Sequence, residues 1–139
     1  MAQITAAVGE AEKTTAGEIR VVVAKNSRKF KGENPVYDHA VAAFHQYGLA
    51  NTKDKTGVLI FLSIKERKIQ ILADTGIDTK VEQQTWDLMV QHLSINIREG
   101  NACKAICDVV HQVGEVLNMY FPIQQDDKNE LSNEAVVEK

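Results

Sequence analysis

The sequence predicts an α/β fold, a three-layer α/β/α sandwich with a small mixed β-sheet flanked by helices on both faces. Three observations carry that expectation. The first is Gly57-Val58-Leu59-Ile60-Phe61-Leu62-Ser63-Ile64, the most continuous apolar run in the 139-residue chain. A strand with no polar face needs cover on both sides, which puts it at the centre of a layered sheet. The second is the succession of a β-branched stretch, an amphipathic helix and that run, the order of a right-handed parallel βαβ unit. The third is a pair of amphipathic stripes in the second half of the chain, enough helix to cover a face of the sheet.

Taken in order, Ile4, Ala7, Val8 and Ala11 recur at helical spacing, and Gly17 stands where a left-handed C-cap falls, so residues 3–15 read as the first helix. Glu18-Ile19-Arg20-Val21-Val22-Val23-Ala24 is β-branched and reads as the first strand. A polar, basic loop over 26–34 closes at Pro35, and Ala40, Val41, Phe44 and Tyr47 share one face of a crossover helix over 36–47. After the central strand, Lys65-Glu66-Arg67 makes a charged turn and residues 68–73 run back antiparallel. Trp86, Met89, Val90, Leu93 and Ile97 stripe a helix that Gly100 ends; Trp86 reads as core packing. Ile106, Val110, Val113 and Leu117 stripe a last helix over about 102–120, which Phe121-Pro122 stops. The domain therefore covers residues 1–122, and the acidic, aperiodic residues 123–139 read as a disordered tail.

One domain is what this length allows, and 44% apolar with 25% charged residues is ordinary for a globular protein. The net charge is -3 and the basic residues are scattered along the chain, which lacks the footprint of a nucleic-acid binder and suits a cation or a mildly basic partner. No stretch supplies the roughly 20 apolar residues that span a bilayer. Met1 leads into an amphipathic pattern rather than a signal peptide, so the chain reads as a cytoplasmic monomer. If it is trimmed from a longer parent, it reads instead as membrane-associated or exported. Cys103 and Cys107, four apart, form neither a disulfide framework nor a CxxC motif, and read as reduced thiols.

With the first and central strands parallel and the third antiparallel, one rim of the sheet collects Glu18, the loop 52–56 and the loop 74–78. Asp74-Thr75-Gly76-Ile77-Asp78 places two carboxylates around a glycine at that rim, the pattern of a loop that wraps a hard cation. It is not an EF-hand, because position 12 of such a loop is Thr85 and cannot supply the bidentate glutamate. The plainer reading is that Asp74 closes an Asx-turn and Asp78 caps a helix starting near Thr79.

The ordered series Glu12-Lys13-Thr14-Thr15-Ala16-Gly17-Glu18-Ile19-Arg20-Val21, Asn51-Thr52, Gly57-Val58-Leu59-Ile60, Ala73-Asp74-Thr75-Gly76-Ile77, Trp86 and Phe121-Pro122 resembles the TPM-domain family. The similarity is to its bacterial branch of short proteins, described as membrane proteins or phosphatases. It spans about residues 3–122 and implies an α/β sandwich that binds divalent cations at the sheet edge, with acid phosphatase activity in one relative. By position, the acidic rim implied falls on Glu18, Asp54, Asp74 and Asp78.

The cofactor so expected is Ca²⁺ or Mg²⁺, since every candidate ligand is an oxygen. Thr52, Thr56 and Arg20, with Lys53, Lys55 and Lys80 near the same rim, are candidate contacts for a phosphate. Asp54 between two lysines also reads as a screened surface charge, and loop threonines commonly satisfy their own backbone. Missing are a Walker loop, a cysteine-arginine loop and a histidine beside a nucleophile, so turnover would rest on a metal. Two functions follow: a slow metal-supported phosphatase on small phosphoesters, or a non-catalytic module that docks a protein partner in assembly or maintenance of a complex. Cys103, Cys107 and His111 fan around a helix too widely for tetrahedral zinc. His39, His45 and His92 read as isolated surface or partly buried residues.

Overall fold

The computed structural model describes residues 2–13, 15–122 and 135–138. Its centre is a four-stranded mixed sheet in the order β3-β2-β1-β4, with β1 at Glu18–Ala24, β2 at Gly57–Ser63, β3 at Lys68–Ala73 and β4 at Val136–Glu138. β1 and β2 are parallel, from Glu18 opposite Gly57 to Ala24 opposite Ser63. β3 returns antiparallel to β2 with Ala73 opposite Val58. Every residue of β2 is buried. The unbroken apolar run thus has the cover on both faces that it requires.

That cover comes from five helices, α1 (Ala2–Glu12), α2 (Pro35–Gln46), α3 (Thr75–Asp78), α4 (Gln83–Arg98) and α5 (Ala102–Tyr120). On one face Ile19, Val21, Val58 and Ile60 pack with Val8 of α1, Leu93 of α4 and Val110 and Leu117 of α5. On the other, Val22, Leu59 and Phe61 pack with Val36, Ala40 and Phe44 of α2. Alternate residues of each strand feed alternate layers, as strand geometry dictates. Each large side chain buried this way contributes roughly 1.5–3 kcal/mol. Gly114 allows α5 to lie close on α1, since a Cβ there would stand 2.7 Å from Ala11 Cβ.

The chain ends of the elements depart from expectation at three places. Gly17 does not adopt the left-handed C-cap conformation, which the described glycines use at Gly48 and Gly100. Its place is set by packing instead, because a Cβ would meet the Leu117 side chain at 2.7 Å. The turn after β3 is helical from Thr75, capped by the Asp74 side chain at 2.7 Å from the Thr75 N–H, so Asp74 rather than Asp78 is the cap. Most of the tail read over 123–139 lies outside the described residues, but 136–138 form β4, parallel to β1 with Val136 opposite Val22. Val136 and Val137 are β-branched, and the outer edge of β1 is a ready template for them. Among the described residues no helix is long and apolar enough to cross a membrane.

Candidate functional site

The amino ends of β1 and β2 and the end of β3 meet at one rim, as the connectivity requires. Glu18 N–H donates to Thr56 O at 3.3 Å and Asp74 N–H to Gly57 O at 2.9 Å, so the three loops are bonded together. Gly76 seats against loop 52–56 so closely that a Cβ would fall 2.1 Å from Asp54 O and 2.5 Å from Lys55 O. Asp54 and Asp78 are exposed and Asp74 is half-buried, with one carboxylate oxygen committed to the cap. Thr52 and Thr56 turn inward, and Thr52 Oγ1 accepts from Thr56 N–H at 3.0 Å, so the loop satisfies itself. Lys53 and Lys80 are exposed, while Lys55 takes a left-handed backbone and donates Nζ to Ala50 O at 3.1 Å.

Glu18 differs from the three aspartates. It is 2% exposed, and its neighbour is Glu12, itself buried at the end of α1. Glu12 Oε2 accepts the Ile19 N–H at 2.6 Å, serving β1 at a point that β4, paired only with Val22–Ala24, does not reach. Burial pushes the Glu12 carboxyl up to about 9; the Ile19 bond opposes the shift, and the Glu18 charge and hydrogen bond add to it. At neutral pH Glu12 is therefore a neutral acid that donates to Glu18. Arg20 lies on the same strand, its guanidinium 5.4 Å from the centre of the Tyr47 ring. The rim thus has an outer layer of aspartates and an inner pair of glutamates.

A second polar cluster occupies the opposite end of the sheet. Ser27 Oγ stands 2.9 Å from His39 Nδ1 and 2.8 Å from Ser63 Oγ. His39 Nε2 is 2.8 Å from Glu138 Oε1, and Tyr47 donates to Glu138 Oε2 at 2.7 Å. Glu66 accepts from Ser27 N–H at 2.9 Å and from Ser63 Oγ at 2.7 Å, and these bonds hold its carboxyl below the usual range. His39 is therefore not isolated. Burial of Tyr47, with Glu138 beside it, pushes its phenol up to about 12, so it remains a donor.

Comparison with known proteins decides the family. A model described as the TPM domain, under the name TPM phosphatase, matches residues 1–116. The chain belongs to the TPM-domain family. In structure this TPM domain is similar to the BA42 protein of the psychrophilic bacterium Bizionia argentinensis, solved by NMR, at 34% identity and a TM-score of 0.82. That match covers 96% of this chain and 89% of BA42. It also shares its fold with the N-terminal domain of a P. gingivalis protein, at 21% identity and a TM-score of 0.64, covering 84% of this chain and 72% of that one. No functionally curated protein matches it.

Among the described residues of this TPM domain, no three His, Cys, Asp or Glu side chains converge as a preformed metal group. Cys103 and His111 are exposed and Cys107 is half-buried, its thiol pushed up by burial and by Cys103. Sequence reasoning missed Glu12 and His39, though both had a signal. Glu12 follows Val8 by four residues, and His39 follows Val36 by three and precedes Ala43 by four, so helical phase turns both inward.

Proposed function

We propose that this TPM domain is a divalent-cation-binding module whose site is the outer rim, at Asp54, Asp74 and Asp78. The observation that carries the reading is the seat of Gly76 on the carbonyls of Asp54 and Lys55, which brings loop 52–56 onto the turn that holds Asp74 and Asp78. The donors there are carboxylate and carbonyl oxygens, the chemistry of Ca²⁺ or Mg²⁺. With Glu18 turned inward against Glu12, the set fits a loosely held ion completed by water, in the range of roughly 10⁻⁴–10⁻³ M for open sites. A bound cation supplies charge neutralisation and an acidified water. Among the residues described at this rim, none is a serine, cysteine or histidine positioned as a nucleophile. Hydrolysis of phosphomonoesters is therefore proposed as slow and wholly cation-dependent, and docking of a partner on the occupied rim as the principal role.

Titration of Ca²⁺ and Mg²⁺ into metal-free, isotope-labelled protein tests the site. Saturable amide shifts confined to residues 54–57 and 74–79, lost in the Asp54→Asn, Asp78→Asn double variant, are expected. Absent shifts, or shifts that the double variant keeps, sink the reading. Release of p-nitrophenol from its phosphate ester separates the two roles. Turnover that survives chelation overturns the cation-dependent mechanism, and no turnover with a saturable site leaves the docking role.

A further inference from the structure

The carboxyl ends of the parallel strands β1, β2 and β4 open onto a cavity of about 580 Å³, at the far end of the sheet from the aspartates. Crevices outside strand carboxyl ends are where open α/β sheets take their ligands. The cavity is lined by Lys25, Arg28, Lys29 and Lys65. Among the described residues none of the four is held in an ion pair. In a chain of net charge -3, four cations against the single carboxylate of the lining, Glu138, reverse the overall sign locally and focus a positive potential there. Charges scattered along the sequence are gathered by the β1–α2 loop and the β2–β3 turn.

The row Ser27, His39 and Glu138 at the wall of this cavity invites comparison with a hydrolytic triad, and the protons decide against it. Ser63 spends its one hydroxyl proton on Glu66 Oε1. The 2.8 Å pair of serine oxygens then takes the Ser27 proton, so at 2.9 Å His39 Nδ1 is the donor to Ser27. His39 thus offers Ser27 no lone pair, and Ser27 has no base. Phe30, stacked on His39 at 4.5 Å, fixes the ring in that orientation. Asn26 Oδ1 accepts from the Arg28 N–H at 3.1 Å, which leaves the amide N–H donors of Asn26 over. What the cavity offers is cations and N–H donors, the set that binds a tetrahedral oxyanion, beside one carboxylate, Glu138, whose two oxygens already face His39 Nε2 and the Tyr47 hydroxyl.

We propose that this cavity is a binding site for a small phosphate monoester. The phosphate is held by Lys25, Arg28, Lys29 and Lys65, and the organic part lies against Phe30 and Ile64 in the remaining volume. The site is separate from the aspartate rim and does not depend on it.

The test is an amide-shift titration of the full chain with inorganic phosphate and with phosphoserine, against sodium chloride at equal ionic strength. Saturable shifts confined to residues 24–30 and 63–66 are expected, with phosphoserine bound at least threefold tighter than phosphate. The Arg28→Glu, Lys29→Glu double variant and, separately, Lys65→Gln should each weaken binding, the first by tenfold or more. Asp78→Asn should leave it unchanged. These side chains are exposed, so each variant is expected to keep the parent amide spectrum. Chloride reproducing the shifts, folded variants that keep full affinity, or equal affinity for phosphate and phosphoserine overturn the proposal.

Discussion

Glu12 is the residue at which the chain departs most from ordinary surface chemistry. Its carboxyl carries a proton in the folded state up to about pH 9, against 4.5 when exposed, and burial is the chief cause. Between those values the unfolded chain has released a proton that the folded chain holds, so folding is favoured by acid. The contribution is full below pH 4.5 and is lost as pH rises to and through 9. The slope at most reaches about 1.4 kcal/mol per pH unit for one proton. Glu12→Gln keeps an acceptor for the Ile19 N–H and a donor for Glu18, and should flatten the fall of Tm between pH 6 and 9. Glu12→Ala orphans the Ile19 N–H and should cost about 1–3 kcal/mol at every pH. A Tm that climbs over that range in the parent chain, measured by thermal melts, contradicts this account.

At the scale of elements, the joint between loop 52–56 and α3 rests on one absent methyl group. Gly76→Ala sets a Cβ on the carbonyl oxygens of Asp54 and Lys55, both backbone, so neither can swing aside. A loss of about 1–3 kcal/mol is expected from urea melts, with amide shifts confined to the two loops. A variant as stable as the parent shows that the joint is loose. Elements with a local signal were legible in the sequence: the apolar run of β2, the crossover through α2, the returning β3 and the end of α4 before Gly100. The gathering of Glu18, loop 52–56 and loop 74–78 followed from strand direction alone. What escaped depends on partners remote in sequence. β4 is three residues long and exists because the edge of β1 receives it. The inward turn of Glu18 follows from Glu12 on another element, and the mutual bonding of Ser27, His39, Ser63 and Glu66 joins three segments that no spacing connects.

Across the whole molecule the two proposed sites stand at opposite ends of the sheet, Asp54, Asp74 and Asp78 at its amino rim and Lys25, Arg28, Lys29 and Lys65, in no ion pair among the described residues, at its carboxyl end. β1 is seven residues long, which sets the two ends about 20 Å apart. At physiological ionic strength the screening length is about 8 Å, so charge at one end is felt weakly at the other. Saturating Ca²⁺ is therefore expected to change the dissociation constant of phosphoserine by less than about twofold in 0.15 M salt. Isothermal titration with and without the cation measures this, and reciprocity requires the same factor in the reverse experiment. A tenfold coupling contradicts two separate ends and requires the cation to sit with the anion. Independence carries its own consequence for chemistry. A cation that neutralises a phosphoryl group in flight has to touch it, so a phosphate held among Lys25, Arg28 and Lys29 is bound without being hydrolysed by the rim's ion. On that reading the carboxyl end recognises a phosphorylated ligand, and the amino rim, with its buried glutamate pair behind it, is where hydrolysis or cation-dependent docking takes place.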